Sequence, residues 1–377
     1  MTTFARIGYH YVCKRLQEYS EEINRLFLVT LMSGKVKKNH NATIIDVARE
    51  ANVSYSTVSR VLNNYPHIKP DKRQRVLEAI GRLGYVANQV ARTLAGGQAR
   101  VVGLLVPDLM TEYTAQILVG VDEELAIAGY DLMLHTTHHE RIKESQYTLT
   151  LTQGMTEGLL LLLPLDPGAY LETLRKQQFP YVVIDHQGFD EFSSTVVATN
   201  YRGAYEAVDY LIGLGHRRIG FIAGTEATSS ARERQDAYVA ALAAAGIPLD
   251  PALIVPGIFE QPGGFMAAQT LLDLPQPPTA IFAANDVSAL GAIEAIRSRA
   301  LHIPEDISIV GFDDIPRARY SYPPLTTVRQ PLTEIGRLAA RLLLKLIGDP
   351  DRPIERIVLQ TELVIRESCQ PPRSGAV

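Results

Sequence analysis

Apolar positions along the chain change period partway through, and that change divides the sequence. Between residues 43 and 84 they recur at helical spacing in three short bursts. Ile44, Val47, Ala48 and Ala51 form a stripe about seven residues long, opened by Thr43 with Asp46 three positions on, an approximate capping box. A turn at Asn52-Val53 leads to Ser54, a residue type suited to an N-cap. The second helix then sets Val58, Val61 and Leu62 on one face and Tyr55, Ser56, Ser59 and Arg60 on the other. Pro70 suits the first turn of a third helix, in which Val76, Leu77, Ile80 and Leu83 are expected to point inward before Gly84 ends it. Two short helices joined by a tight turn, the second polar outside and apolar inside, match a helix-turn-helix whose second helix enters the major groove.

From Val101 onward the pattern is different. Short apolar, β-branched runs (VVGLLVP, GLLLLLP, YVVID, RIGFIAG, TAIFAAN, ISIVGFD) alternate with helical stretches. Such alternation predicts a parallel sheet with crossover helices, and six or more strands predict two doubly wound halves. The expected fold class is therefore α/β: an all-α helix-turn-helix headpiece followed by a two-lobed, doubly wound body. Residues 1–40 are read as an N-terminal extension, 41–86 as the headpiece, 87–98 as a hinge helix and linker, and 99–377 as the ligand-binding and dimerisation domain.

Two segments flank the headpiece. Val12, Leu16, Tyr19, Ile23, Leu26 and Val29 allow an amphipathic helix over residues 10–31, but Met32-Ser33 stands just before a short basic leader into Thr43. On that position the segment reads as translated upstream sequence rather than as an appendage, and no function is assigned to it. On the other side, Asn88 caps a helix of about two turns ending at Leu94, before Gly96-Gly97 releases the chain. So short a helix is unstable alone in water. Pairing with its twin across a dimer on the minor groove would order it, with Ala91 facing the same side and Leu94 wedged between base steps.

Charge strengthens the division. Residues 33–100 hold twelve Lys or Arg against four acids, a formal +8, on a chain whose total is −4; residues 101–377 are left with 21 bases and 34 acids. A basic module on an acidic body marks where phosphates would be neutralised, and the body itself would be repelled by DNA. Cys13 and Cys369 are far apart, so no disulfide framework or zinc site is expected and a reducing cytoplasm fits. The longest apolar runs are too short to span a membrane, and Glu18, Glu21 and Glu22 interrupt any export signal.

The run through residues 43–94 resembles the headpiece and hinge of the lactose and galactose repressor family. The family pattern T-x-x-D-V-A-x-x-A-x-V-S-x-x-T-V-S-x-V-L-N is met at Thr43, Asp46, Val47, Ala48, Ala51, Val53, Ser54, Thr57, Val58, Ser59, Val61, Leu62 and Asn63. The resemblance implies that Tyr55, Ser56 and Arg60 read base edges and that Leu94 intercalates. It also places Thr43, Ser54, Thr57, Ser59, Asn63, Asn88 and Ala91 at the DNA. Ser56 replaces a longer amide and cannot make a bidentate adenine contact, so the operator sequence does not carry over.

Ligands of open α/β sheets sit beyond the carboxyl ends of the strands, so the polar residues after each run are the candidates for the body. These are Asp108, Tyr113, Asp166, Asp185 and His186 in the first half. In the second they are Ser230, Arg232, Arg234, Phe259, Asn285, Asp286, Asp313 and Asp314. Carboxylates, an amide, an Arg and aromatics facing one cleft suit a neutral polyol. The family likeness, whose body is similar to type I periplasmic sugar-binding proteins, implies that Arg234, Asn285 and Asp313 meet sugar hydroxyls. By the same likeness Phe259 and Asp166 line the cleft, with Tyr113 and Ser230 beside them. Thr114 and Thr228 stand where purine-responsive members place an aromatic and an Arg, which argues against a purine.

Other signals carry less. His135, His138 and His139 do not share a helical face and read as a strand end and solvated loop. Gly96-Gly97 and the GLGHRRIG stretch lack the strand-then-helix setting of a phosphate loop. No nucleophile elbow or Ser, Cys or Lys with a base partner is found. The expectation is a cytoplasmic repressor without cofactor, metal or membrane partner. It binds a palindromic double-stranded operator as a homodimer and is released by a sugar effector. The alternatives are gating by a nucleoside or a partner protein, or a soluble sugar-binding component.

Overall fold

The computed structural model describes residues 42–62, 65, 67–85, 99–165, 167–186 and 191–373. The chain divides into two compact units, Met1–Ala87 and Asn88–Val377.

Among the described residues of the first unit, three helices, α1 (Ile44–Glu50), α2 (Tyr55–Leu62) and α3 (Pro70–Leu83), enclose one small core. Val47, Ala48, Ala51, Val58, Val61, Val76 and Ala79 fill it. The α1–α2 turn works because Asn52 adopts a left-handed φ of 51° that its short polar side chain tolerates. Val53 N–H then closes back on the Ala48 carbonyl at 3.0 Å. Gly84 ends α3 in the same way, with φ 57°.

The third helix corrects one expectation. Leu77 and Leu83 are 51% and 36% exposed, while Ala79 is fully buried. Val76, Ala79 and Ile80 share the i, i+3, i+4 face, and Leu77 lies about 100° round the helix from Val76. In place of Leu83, Tyr85 packs against the core just past the Gly84 turn.

The body holds two six-stranded sheets. Lobe 1 has strand order β11-β5-β4-β3-β1-β2, and lobe 2 has β12-β10-β9-β8-β6-β7. In lobe 1 these are β1 (Val101–Val106), β2 (Asp131–Thr136), β3 (Gly158–Leu162), β4 (Tyr181–Ile184), β5 (Thr195–Ala198) and β11 (Arg356–Leu359). Lobe 2 contains β6 (Ile219–Ala223), β7 (Ile254–Pro256), β8 (Ala280–Ala283), β9 (Ser308–Asp313), β10 (Thr326–Arg329) and β12 (Glu362–Val364). All strand pairs are parallel except β10 with β12. Alternate residues of each buried strand feed opposite faces. Val102, Leu104 and Val106 enter one core of lobe 1 and Leu105 the other. In lobe 2, Phe221, Phe282 and Phe312 share one core while Ile222, Ile281 and Ile309 share the other.

The chain passes between the lobes three times: after β5, after β10 and after β11. As a result α12 (Leu332–Gly348), which follows lobe 2 in sequence, packs on lobe 1 across α4 (Glu112–Ala128). At that crossing a Cβ on Gly120 would lie 1.9 Å from the Thr333 carbonyl oxygen, so the two backbones are in direct contact. The first and third passages are tied together, since Thr361 N–H donates to Thr199 Oγ1 at 3.0 Å. Arg317 of lobe 2 also pairs with Glu112 of lobe 1 at 3.1 Å.

Candidate functional sites

On the headpiece, the capping box forms as its spacing implied. Asp46 N–H donates to Thr43 Oγ1 at 3.3 Å, and Thr43 N–H donates to Asp46 Oδ2 at 2.9 Å. Ser54 holds the start of α2: Thr57 N–H donates to its Oγ at 3.3 Å, and the hydroxyls of Ser56 and Thr57 each lie 2.9 Å from it. Val58 and Val61 bury the inner face of α2, leaving Tyr55, Ser56 and Arg60 exposed and Thr57 and Ser59 half-buried. Arg60 has no carboxylate partner among the described residues, whereas Arg49 and Arg82 pair with Asp46 and Glu50. The exposed strip of α2 therefore offers hydroxyls, a phenol and a free guanidinium, groups able to reach base edges and phosphates. Asn63, Asn88, Ala91 and Leu94 lie outside the described residues, as do the 10–31 segment and the hinge.

In the body, a cavity of about 130 Å³ opens between the lobes at the carboxyl ends of the strands. Tyr113, Ser230, Arg234, Phe259, Asn285 and Asp313 all line it, with Asp108 and Asp185. Asp166 lies outside the described residues. Asp286 sits below the cleft, fully buried, accepting from Thr327 Oγ1 at 2.5 Å and Ile315 N–H at 2.9 Å. Burial holds its carboxyl well above the usual carboxylate range. Asp314 turns away to pair with Arg329 and Arg366 at 2.7 and 2.5 Å. The exposed Arg232 holds the Glu226 carbonyl instead.

The floor is one polar network. Arg234, 2% exposed, donates through Nε and Nη2 to Asn200 Oδ1 at 3.1 and 2.8 Å, and through Nη1 to the Ala284 carbonyl at 2.5 Å. Its guanidinium lies 3.6 Å from Asp313 and 3.8 Å over the Phe312 ring. Burial pushes the Asp313 carboxyl up to about 7, against the pull of Arg234 and of Gln330, which donates to it at 2.8 Å. Tyr113 donates to Asp185 at 2.6 Å; burial and that neighbour hold its hydroxyl protonated far beyond the ordinary range. Asn285 spans both its roles, accepting from Ser288 N–H at 2.9 Å as the α10 cap (α10, Asp286–Ser298) and donating to the Phe259 carbonyl at 3.1 Å.

Backbone strain gathers here. Of the twelve non-glycine residues with positive φ among those described, six line the cleft: His139, Leu163, Asp185, Ile258, Phe259 and Asp313. Each such conformation costs about 1 to 3 kcal/mol and persists where surrounding structure enforces it. Gly224 shows one means: a Cβ there would fall 2.1 Å from the Phe259 ring, so only a bare backbone lets that ring lie down.

Three participants were not read from sequence. His139 lies in an exposed loop, as read, but it also lines the cleft and meets Asp108 at 3.1 Å, a contact that raises the imidazole pKa. Asn200 and Gln330 follow β5 and β10, where the chain passes to the other lobe, and neither strand was among the apolar runs read from the sequence.

Comparison with known proteins assigns a family to two stretches of the chain. A model of bacterial regulatory proteins of the lacI family matches residues 43–88, and one of a periplasmic binding protein-like domain matches 208–369. The chain is 38% identical over 341 residues to the HTH-type transcriptional repressor CytR of Escherichia coli K12, covering 89% of this chain and 99% of that one. This chain belongs to the lacI family. Among solved structures, the lac repressor dimer bound to operator and the anti-inducer ONPF superimposes with TM-score 0.77 at 28% identity, covering 87% of this chain and 99% of that one. The transcriptional regulator CelR in complex with cellobiose superimposes with TM-score 0.68 at 34% identity, over the same shares of each chain. As a family member the chain is a DNA-binding transcriptional regulator with a periplasmic-binding-protein-like body. Among the described residues no helix is long and apolar enough to cross a membrane.

Proposed function

We propose that this regulator is a cytoplasmic repressor that binds a palindromic operator as a homodimer and is released by a sugar or sugar derivative seated between its lobes. Each half-site is read by the exposed strip of α2, with Tyr55, Ser56 and Arg60 at base edges. Thr43, Ser54, Thr57, Ser59 and Asn63 support it at the backbone, and hinge helices carrying Asn88, Ala91 and Leu94 kink the centre. The protein acts by binding, with no chemical step.

The observation that carries this reading is the cleft floor, where Arg234, Asp313 and Asn285 converge from lobe 2 and Tyr113 and Asp185 from lobe 1. A hydroxylated ring placed there is held by both lobes at once, so it favours one interlobe arrangement over another. That difference in affinity is the coupling, typically about 1 to 3 kcal/mol. The likeness to a cellobiose-bound regulator supports a sugar in this position.

The test begins by selecting a duplex from random DNA with the purified full-length protein, then titrating sugars into a gel-shift with the selected site. The reading expects a two-fold symmetric site and release by at least one sugar. Equal affinity for every duplex at moderate salt, with and without sugars, would sink it.

A further inference from the structure

We propose that the effector carries no negative charge: the cleft is built for a neutral or amine-bearing hydroxylated molecule with an apolar face, and turns away sugar phosphates and sugar acids. This rests on the reading of the cleft as the effector site.

The positive groups are already spent. Among the described residues lining the cleft, the cations are Arg234 and His139. Arg234 is committed to Asn200, Ala284 and Asp313, and His139 faces Asp108 at 3.1 Å. Neither presents the open fork that a phosphate or carboxylate takes. Against them stand four carboxyls, Asp108, Asp185, Glu260 and Asp313. Asp185 receives hydrogens from Tyr113 and Asn200, at 2.6 and 3.4 Å, both from uncharged donors.

The other places where proteins hold anions are closed as well. Among the described residues four helices start at the cleft: α4, α8 (Ser229–Ala244), α9 (Gln261–Leu272) and α10. A helix N-terminus with free N–H groups attracts phosphate. Here α4, α8 and α10 are each stopped by a cap, Thr111 accepting from Thr114 N–H, Thr228 from Ala231 N–H and Asn285 from Ser288 N–H. By contrast α9 has no side-chain cap, but it starts at the acidic Glu260 and carries Pro262, which has no N–H, in its first turn. What remains open is mostly acceptor: carboxylate oxygens that bind the hydrogens of hydroxyls and amines. Leu163, Leu165, Ile258, Phe259 and Val287 add an apolar wall, suited to the C–H face of a sugar ring or to an uncharged substituent on it. Among the described residues no cluster can hold a metal ion that would reverse the sign of this field.

An anion placed about 6 Å from one unpaired carboxylate, at an effective dielectric near 20, loses roughly a hundredfold in affinity relative to its uncharged parent. The experiment is a thermal-shift screen of the full-length protein with neutral mono- and disaccharides and nucleosides, each beside its phosphate ester. Glucosamine and glucuronate are included, and hits are titrated by calorimetry at low and high salt. The expected result is that every stabilising compound is uncharged or amine-bearing, that its phosphate or acid counterpart binds about a hundredfold more weakly, and that the affinity of an uncharged hit does not fall with salt. A phosphorylated or acidic compound binding more tightly than its parent, with affinity that falls as salt rises, overturns the proposal and leaves the sugar reading standing. If no compound of any charge shifts the melting, the sugar reading itself fails and takes this one with it.

Discussion

Replacing Arg234 with Ala removes the one guanidinium among the described residues lining the cleft and leaves Asp313 and the Asn200 acceptor without it. Breaking a buried ion pair by deleting one partner costs about 3 to 5 kcal/mol when the remaining charge cannot escape. Here it can, because the Asp313 carboxyl already titrates at about 7. In the native protein the folded state holds a proton there that the unfolded chain, at its ordinary carboxylate pKa, releases. The Asp313 contribution to stability therefore falls as pH climbs from about 4 to about 7, by up to about 4 kcal/mol, and levels off above that. Without Arg234, which pulls the carboxyl down, its pKa moves higher, and the fall continues past 7 at about 1.4 kcal/mol per pH unit. At pH 6 Asp313 is protonated in both proteins and the variant loses only its hydrogen bonds, about 2 kcal/mol. Urea unfolding of native and variant protein, followed from pH 6 to pH 9, reads the difference directly. A deficit that stays constant across that range would refute the electrostatic account, whatever its size.

Three more outcomes follow from the same geometry. Arg60→Ala should lower operator affinity by about 1 to 3 kcal/mol at particular base pairs without changing melting; a loss uniform over all sequences in a mutated-site binding panel would recast it as a phosphate contact. Thr43→Ala deletes the α1 capping box and should destabilise the headpiece by about 1 kcal/mol, measured by helix melting in circular dichroism; an unchanged transition would mean the cap contributes nothing. Gly224→Ala drives a methyl into the Phe259 ring, so sugar affinity should drop by about 1 to 3 kcal/mol while operator affinity holds, and calorimetry showing normal sugar binding would contradict that packing.

The reach of sequence reasoning follows from the range of the forces involved. Helix caps and turns are local, so Thr43, Asn52 and Gly84 announced themselves within a few residues. The β-branched runs marked the parallel strands because burial on both faces leaves no polar period. Leu77 misled because an apolar residue beside a buried one looks identical to a buried one until the helix's rotation is set by its neighbours. Asn200 and Gln330 were invisible for a deeper reason. Their roles depend on where the chain passes between lobes, and that depends on β11 and β12 pairing with strands laid down over 150 residues earlier in one case and over 30 in the other. His139 was set aside as loop because only the fold brings it to Asp108, 31 positions away.

The threefold passage between lobes has a consequence for synthesis. By the time residue 331 leaves the ribosome, lobe 1 still lacks both α12 and its edge strand β11, and lobe 2 lacks β12. Neither half can close as a contiguous early fragment, so the nascent body must wait, with apolar sheet faces uncovered, for its final few dozen residues. A premature stop near residue 330 would yield an intact headpiece attached to two unfinished lobes, a product that chaperones and proteases meet before any operator does.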